Sequence, residues 1–396
     1  MRFRWQLGPA LRLDDEYMNI LQISYHTAPF GSVGQFDSGG LNVYVQQISE
    51  HLSQNHNVTV ITAEKAESFK NQNLEFCSLN LFEPDIPTDD KEIHLIEFNK
   101  RLEEVLDLKQ FDVIHAHYWM SGLIAKDISN KYNIPYIFTS HSLGVFLEGY
   151  NKERADCEKI VMSSSQFVTA STEYEETLIS ESYQVDRQKI KQIKPGVDYE
   201  LFSPDQSIAR ENIFLSVGRI QQQKGQLETL RFLNSFREIE SDFKCYFVGG
   251  PSGSSGEEYL LELKENVKDF SLESHVEFLG NLPQVDIRNL LNRAKLLIHT
   301  SQYETFGLVA IEANSMGVPV ITTNNGSMQE IIENKVNGFL VDRLDYDNVN
   351  FSIKNLINDN QYFEQIMINC MEKSKDYKWE STVYRLLDLY QEAKFS

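Results

Sequence analysis

Two glutamates eight residues apart flank a predicted helix start in the stretch KLLIHTSQYETFGLVAIEANSMGVPVITTNNG (295–326). A short apolar run, a polar loop, an apolar segment with helical period and a second apolar run predict strand, loop, helix and strand. Glu304 lies in the loop and Glu312 early in the helix, so both point to the carboxyl edge of the strand. Free N–H groups at the helix start (307–309) can bind an anion there. The pattern is typical of a site for a diphosphate with hydroxyl groups around it. Two solvated glutamates on an ordinary βαβ unit would give the same spacing.

Two cations form a second candidate cluster. Arg219 follows a predicted strand in VGRI, and Lys224 precedes a predicted helix in QKG, so both charges can converge outside the same sheet. Arginine offers a planar fork to a phosphate and lysine a compact charge. The competing interpretation is a pair of solvated loop residues.

Three further motifs follow predicted strands in the first half of the chain. Gly39 and Gly40 precede a helix, where paired glycines either let the backbone approach a phosphate or form a simple turn. His115 and His117 end a strand in VIHAHYW, where histidines of the core edge would look the same. His141 follows the next predicted strand. In an open sheet these strand ends meet the ligand crevice.

The elements that must position these residues alternate between strand and helix. Apolar runs predict strands at 20–24, 58–62, 113–116, 136–140, 167–170, 190–193, 213–217, 245–248, 276–279, 296–299, 320–323 and 339–341. Such alternation predicts an α/β protein with doubly wound parallel sheets. A proline-rich and turn-rich break at 194–204 divides the pattern. We predict a first domain of residues 1–195, completed by 379–396, and a second domain of residues 196–378.

Composition limits the class of protein. At 396 residues the chain is long for one core, and 41% hydrophobic with 24% charged residues is ordinary for a globular protein. A net charge of −21 argues against nucleic acid or an anionic membrane surface as partner. No apolar run reaches the roughly 20 residues of a membrane span. Residues 1–17 lack the apolar core of a signal peptide, so we expect a cytoplasmic protein. The sequence is compatible with a homodimer.

The motifs GGLNVYV, HAHYW, VGRI with QKG, GGPSG and ETFGLVAIE resemble, in order and spacing, those of the retaining family 4 glycosyltransferases. The resemblance covers roughly Met18 to Trp379. It implies the GT-B fold, in which two Rossmann-like domains face each other across a crevice and a C-terminal helix crosses back to the first domain. The resemblance is nearest to the group with inositol-phosphate and aminocyclitol N-acetylglucosaminyltransferases and sucrose-phosphate synthase.

The resemblance also implies roles for individual residues. It assigns catalysis to His117, Arg219, Lys224 and Glu304. It assigns donor binding to Gly39, Gly40, Arg219, Lys224, Gly250, Leu282, Glu304, Phe306, Gly307, Leu308, Val309 and Glu312. It assigns acceptor binding to Asn42, His141 and Arg154. In this scheme Arg219 and Lys224 stabilise the leaving diphosphate, while Glu304 holds the sugar hydroxyls and Glu312 the ribose.

Plain structural explanations compete with some of these assignments. The Arg154 and Glu158 pair could equally be an ordinary surface ion pair on a helix. The loop with Gly250 and the segment with Leu282 could be simple turns between strands and helices.

The predicted reaction moves a hexosyl group, glucose or N-acetylglucosamine, from a UDP-sugar to a hydroxyl of a small polar acceptor such as a cyclitol, aminocyclitol or sugar phosphate. We expect neither a cofactor nor a metal, because two side-chain cations can neutralise the diphosphate. A non-hydrolysing nucleotide-sugar epimerase and a non-catalytic nucleotide-sugar-binding protein are the alternatives. Near the acceptor loops the sequence offers Lys152 and Arg154 as cations and Asp37 beside the glycine pair. We therefore expect a neutral or amine-bearing polyol to be preferred over a phosphorylated one.

Overall fold

Two open sheets of parallel strands form the framework of the protein in a computed structural model that describes residues 16–31, 39–146, 151–253, 255–324, 326–342 and 346–395. Most of the 1–17 extension therefore lies outside the described residues, as does Asp37. Among the described helices none is long and apolar enough to cross a membrane.

The first sheet has eight strands in the order β3-β4-β2-β1-β5-β6-β7-β8. The strands are β1 (Asn19–Ile23), β2 (Asn57–Glu64), β3 (Phe69–Asn71), β4 (Leu74–Phe82), β5 (Val113–His117), β6 (Tyr136–Thr139), β7 (Phe167–Ala170) and β8 (Ile190–Gln192). The helices between them are α1 (Gly40–Leu52), α2 (Leu95–Val105), α3 (Trp119–Tyr132), α4 (Lys152–Ser164) and α5 (Glu173–Tyr183).

The second sheet has six strands in the order β11-β10-β9-β12-β13-β14. The strands are β9 (Ile213–Val217), β10 (Lys244–Val248), β11 (Val276–Gly280), β12 (Leu296–His299), β13 (Val320–Thr323) and β14 (Gly338–Val341). The helices are α6 (Gln226–Arg237), α7 (Gly256–Asp269), α8 (Gln284–Arg293), α9 (Leu308–Ser315), α10 (Met328–Ile331), α11 (Tyr346–Asn358), α12 (Asn360–Ser374) and α13 (Trp379–Lys394).

In each sheet the chain order reverses at one point, between β1 and β5 in the first and between β9 and β12 in the second. Helices cover both faces of each sheet, so the central strands are buried without alternation, as in β12, where every residue is buried. Ligands of doubly wound sheets bind outside the carboxyl ends of the strands at such a reversal. The glycine pair, the motif HAHYW, the two cations and the two glutamates lie at or after the ends of β1, β5, β9 and β12, the four strands next to the two reversals.

One edge of the first sheet was not predicted. β3 pairs with β4 in the antiparallel sense through a turn in which Gln72 has a φ of 47°. The sequence of β4, LEFCSLNLF, mixes polar and apolar residues because part of this strand is solvated. Neither element could be predicted, because the turn contains no glycine and β4 has no continuous apolar run.

The C-terminal helix α13 returns to the first domain, as predicted. Trp379, Leu386 and Tyr390 lie in the same hydrophobic cluster as residues of β1, β2 and α1. The two segments that connect the domains, one after β8 and one before α13, lie side by side. There the Thr382 hydroxyl donates to the Lys194 carbonyl over 2.6 Å. The predicted break at 194–204 lies between the last strand of the first sheet and the first strand of the second, but the limits of the domains remain a prediction.

Candidate functional site

The loops after β9 and β12 are bonded to each other at the reversal of the second sheet. The Thr300 hydroxyl donates to the carbonyl oxygen of Gly225 over 2.7 Å and lies 2.8 Å from the Thr229 hydroxyl. Gly225 has a φ of +70°, and a Cβ atom there would lie 2.0 Å from the Thr300 carbonyl oxygen. Because only glycine permits this approach, the two loops can meet and bring Lys224 to Glu304.

Lys224 and Glu304 form an ion pair in the crevice. The ammonium nitrogen lies 2.8 Å from Glu304 Oε2, and His299 Nε2 lies 3.3 Å from the same oxygen. Burial by itself would raise the pKa of the Glu304 carboxyl, but Lys224 and His299 hold that pKa well below its usual range. The carboxylate is therefore ionised at physiological pH.

Helix α9 begins beside this ion pair. Gly307 precedes the helix with a φ of +86°, and the backbone N–H groups of Leu308 and Val309 belong to its first turn, where N–H groups have no intrahelical partner. Phe306 is 4% exposed and packs against Tyr377, so this residue can serve the crevice only through its backbone. The start of α9 therefore presents its N–H groups to the same part of the crevice as the cations.

The glycine pair of the first domain lies directly opposite. A Cβ atom at Gly39 would lie 4.0 Å from Arg219 Nε, and one at Gly40 would lie 3.4 Å from Leu308 Cδ1. The Arg219 guanidinium also lies 3.5 Å from the Ser252 hydroxyl of the loop after β10. The structure thus brings Gly39, Gly40 and Arg219 together across the crevice.

Glu312 occupies the next turn of α9. Burial and the nearby charge of Asp198 raise the pKa of the Glu312 carboxyl to about 7. Such a carboxyl exchanges its proton readily near neutral pH. Its ribose contact remains a prediction.

Gly250 and Leu282 lie in adjacent loops after β10 and β11. The Gly249 N–H donates to the Gly280 carbonyl over 2.8 Å, and a Cβ atom at Gly250 would lie 2.7 Å from Asn281 Nδ2. Leu282 is half-buried next to this contact. The loops pack closely together, and their role in donor binding remains a prediction.

The three histidines of the first domain have different surroundings. His115 Nδ1 lies 2.7 Å from the Tyr390 hydroxyl of α13, and His115 Nε2 lies 2.8 Å from the Thr139 hydroxyl. Both ring nitrogens are thus occupied within the fold. His117 Nδ1 lies 3.0 Å from His141 Nε2, whereas His117 Nε2 is buried without a hydrogen-bond partner in the described part of the chain.

Burial, with the neighbouring histidines, lowers the pKa of His117 well below its usual value, and burial lowers the pKa of His141 to about 3. Both rings are therefore neutral at physiological pH.

The backbone is strained on both sides of this pair. Tyr118, directly after His117, has a φ of +76°, and His141 has a φ of +58°. A bulky aromatic residue rarely adopts this conformation, and such residues persist where the surrounding structure holds them, often at binding sites. The observation supports a functional assignment for the end of β5.

The Asn42 side chain forms hydrogen bonds within the first domain, which differs from the predicted contact with the acceptor. Its amide nitrogen donates to the Thr27 hydroxyl over 2.9 Å and to the Ala28 carbonyl over 2.8 Å, while its amide oxygen accepts from the Gly39 N–H over 3.0 Å. The residue is fully buried. Asn42 has no amide proton left for an acceptor, because it fixes the position of the loop that precedes α1.

Arg154 is not part of a surface ion pair, so that interpretation was wrong. The side chains of Arg154 and Glu158 are 9% and 1% exposed, and their closest atoms are 2.8 Å apart. The guanidinium also donates to the Ser142 hydroxyl over 2.9 Å and lies 4.8 Å from the ring centre of Tyr118. Lys152, the other cation that the sequence offered, is exposed at the start of α4.

Sequence reasoning missed a second buried cation on this side of the crevice, Lys91. Its ammonium group is fully buried, donates to the His26 carbonyl over 2.9 Å and lies 3.6 Å from Glu64. The surrounding sequence TDDKEIH gives no sign of burial. The pKa of the His26 imidazole lies well below its usual value because of burial and then because of the charges of Lys91, Arg154 and Arg219.

No group of three or more histidine, cysteine, aspartate or glutamate side chains that could hold a metal lies within the ranges that the structure covers. Metal independence remains a prediction.

Comparisons with known proteins agree with this arrangement. The family described as Glycosyltransferase Family 4 matches residues 38–201, and that described as Glycosyl transferases group 1 matches residues 199–373. The chain is 28% identical to a D-inositol 3-phosphate glycosyltransferase of Corynebacterium urealyticum, over 94% of this chain and 95% of that protein. It is 29% identical to one from Frankia alni, over 93% and 98%.

Solved structures have the same fold. A sucrose-phosphate synthase from Thermosynechococcus elongatus superposes with a TM-score of 0.85 at 25% identity, covering 95% of this chain and 98% of that one. The Anabaena protein HepE, in complex with UDP and glucose, superposes with a TM-score of 0.76 at 18% identity, covering 95% and 100%. With its two matched domains and its two facing α/β sheets, the chain belongs to the GT-B glycosyltransferases that combine a family 4 domain with a group 1 domain.

Proposed function

We propose that this glycosyltransferase moves a glucosyl or N-acetylglucosaminyl group from a UDP-sugar to a hydroxyl of a small phosphorylated polyol, with retention of the anomeric configuration. The observation that carries the donor assignment is that Lys224 and the start of α9 lie beside Glu304, while Arg219 faces the glycine pair across the same crevice. Two cations and free N–H groups in one crevice suit a diphosphate.

The proposed reaction breaks the bond between the anomeric carbon and the diphosphate oxygen and forms a bond from that carbon to the acceptor oxygen. The acceptor proton passes to the departing phosphate oxygen, so UDP leaves with the charge that Arg219 and Lys224 stabilise. Fixed charges that match those of the transition state are a large source of catalysis. Arg219 and Lys224 would supply these fixed charges. The proposed reaction has no covalent intermediate between sugar and enzyme.

The sugar would lie between Glu304 and His117. Glu304 is an ionised carboxylate that can accept hydrogen bonds from sugar hydroxyls. The unpartnered Nε2 atom of His117 is buried on the opposite wall, where a sugar hydroxyl could satisfy it. A neutral imidazole at this place also avoids repelling the positive charge that develops on the sugar.

The acceptor proposal reverses the expectation of a neutral polyol. That expectation considered Lys152 and Arg154 alone, whereas the first domain also contains the buried cation Lys91, bonded to the carbonyl of His26. Burial makes a cation costly unless an anion or a hydrogen-bond acceptor accompanies it. Arg154 lies beside Glu158, and Lys91 lies near Glu64. A phosphate between the two cations would give each of them a second anionic neighbour. The names of the D-inositol 3-phosphate glycosyltransferase relatives agree with a phosphorylated acceptor.

A direct assay tests both halves of the proposal. UDP-glucose and UDP-N-acetylglucosamine are each offered with inositol, inositol 3-phosphate or fructose 6-phosphate, and UDP release and product mass are measured. We expect net UDP release and a phosphorylated glycoside with one donor. A clear preference for the unphosphorylated acceptor would overturn the acceptor proposal and restore the earlier expectation.

The same assay separates the alternative functions. An epimerase of the non-hydrolysing kind would form a new nucleotide sugar without an acceptor and release no net UDP, and a binding protein would form no product. The variant Lys91→Met should lower the kcat/KM of the phosphorylated acceptor, with Lys152→Ala as the exposed control. We also propose a cytoplasmic location and a homodimer.

A further inference from the structure

A carboxylate of the second domain caps a helix of the first domain at the rim of the crevice. Glu330 of α10 accepts hydrogen bonds from the backbone N–H groups of Glu173 over 2.9 Å and of Tyr174 over 2.8 Å. These are the first two residues of α5. The next N–H group, that of Glu175, donates to the Thr172 hydroxyl over 3.1 Å within the same domain. Two side chains therefore cap the N-terminus of α5: Thr172 from the same domain and Glu330 from the opposite domain.

The N–H groups and the helix dipole are what attract Glu330 to this place. Glu173, Glu175 and Glu176 give the first turn of α5 three acidic residues of its own, so side-chain charge opposes the contact. A carboxylate is nevertheless stabilised at a helix start because its oxygens satisfy N–H groups that have no intrahelical partner. The contact thus requires the two domains to be in this relative position.

Glu330 is bonded through a short path to the proposed catalytic groups. Ser327, directly before α10, donates from its hydroxyl to the backbone carbonyl of Glu304 over 2.5 Å. The next residue, Thr305, is held between the domains. Its carbonyl accepts from the Thr172 hydroxyl over 3.3 Å, and its own hydroxyl donates to the His141 carbonyl over 3.3 Å. The ring of Tyr174 packs against Gly326 in the same region, where a Cβ atom would lie 3.3 Å from the ring.

We infer that Glu330 is a positioning residue that holds the two domains together across the crevice and so fixes the distance between Glu304 and the pair His117 and His141. This inference rests on the proposed function, since it states what the contact does for sugar transfer. None of the groups proposed to contact the sugar or the diphosphate belongs to Glu330 or to α5. Loss of the contact should leave UDP binding intact, because the charged groups proposed to hold the diphosphate, Arg219, Lys224 and the start of α9, lie in the second domain.

The test compares Glu330→Ala with the matched control Glu333→Ala. Glu333 lies three residues further along the chain and pairs with Lys373 of its own domain over 2.6 Å. Three quantities are measured for each variant: the UDP dissociation constant by calorimetry, the kcat/KM of transfer, and the maximum dimension of the UDP complex by small-angle X-ray scattering. The melting temperature confirms folding, and Glu330→Gln serves as the conservative variant.

We expect Glu330→Ala to lower kcat/KM about tenfold, within the range for hydrogen bonds to a charged group, with a larger maximum dimension and an unchanged UDP dissociation constant. Glu330→Gln should recover part of the loss, because its amide oxygen still accepts an N–H, and Glu333→Ala should match the unmodified enzyme.

Two results would overturn the inference. The first is a Glu330→Ala variant that equals Glu333→Ala in both activity and dimension. The second is an activity loss without any change of dimension. If Glu330→Ala fails to fold, the Gln variant decides the same comparison. If the unmodified enzyme transfers no sugar, the proposed function fails, while the scattering comparison still decides whether Glu330 holds the domains.

Discussion

Around the proposed position of the sugar, the two walls of the crevice use charge in opposite ways. On the second-domain wall Arg219, Lys224 and Glu304 are charged and lie near the surface of the crevice. On the first-domain wall His117 and His141 are neutral because burial lowers the pKa of both rings. A diphosphate needs charged partners, whereas a sugar that becomes positive during transfer is best surrounded by neutral donors and acceptors. The difference predicts that the two walls respond differently to substitution.

The largest effect should follow removal of a cation from the charged wall. Arg219→Ala or Lys224→Ala should lower turnover roughly 100-fold or more, because each removes a group that stabilises the leaving diphosphate. The melting temperature should change little, since both side chains are partly exposed. The exposed Lys264→Ala on α7 is the control for loss of a lysine. An unchanged rate in either crevice variant would contradict the diphosphate assignment.

A smaller effect is expected on the neutral wall, and it should separate two histidines of one strand. His117→Ala should lower kcat about 30-fold with little change in stability, because a hydrogen bond to the sugar is lost. His115→Phe should instead lower the free energy of unfolding by about 1–3 kcal/mol, since it leaves the Tyr390 hydroxyl without its partner. Steady-state kinetics and thermal unfolding measure both. If both variants lose the same kcat and the same free energy of unfolding, the proposed difference in function between His117 and His115 is wrong.

The two glutamates of the charged wall should differ in their dependence on pH. The pKa of Glu312 is raised to about 7, so this carboxyl is largely protonated at pH 6 and largely ionised at pH 8. If the ionised form accepts the ribose hydroxyls, UDP affinity rises about tenfold between these values, in proportion to the ionised fraction. Calorimetry of the native enzyme and of Glu312→Gln measures this.

The Gln variant of Glu312 should bind UDP more weakly and without that pH dependence. Glu304→Ala should still bind UDP and keep the pH dependence, but should use every sugar donor poorly. Equal losses of UDP affinity in the Glu304 and Glu312 variants would contradict the division of roles.

The smallest effect should be that of chelation. Because Arg219, Lys224 and the start of α9 can neutralise the diphosphate, activity in excess EDTA should remain within about twofold of the untreated rate. Abolition of the rate by EDTA, with recovery in magnesium or manganese, would mean that the charged wall requires a metal to function.

Much of the fold followed from the sequence because doubly wound sheets are buried on both faces. Their strands are short apolar runs that need no partner to be recognised, and the helices between them fix the parallel order. The edge hairpin of β3 and β4 escaped prediction because a half-solvated strand carries polar residues and because its turn contains no glycine. The motifs after β5, β9 and β12 could be placed at the crevice for the same reason, since strand ends in such a sheet share one edge.

What the sequence by itself determined is therefore the set of residue types at the strand ends and the class of ligand that they suit. The tertiary structure decided which of them meet. Lys224 lies beside Glu304, 80 residues away, because Gly225 permits two loops to approach. Lys91 is a buried cation because the chain folds over it, and Glu330 acts on a helix of the other domain. Burial and distance between remote segments set the pKa and the partner of each side chain, and no local pattern of residues contains that information.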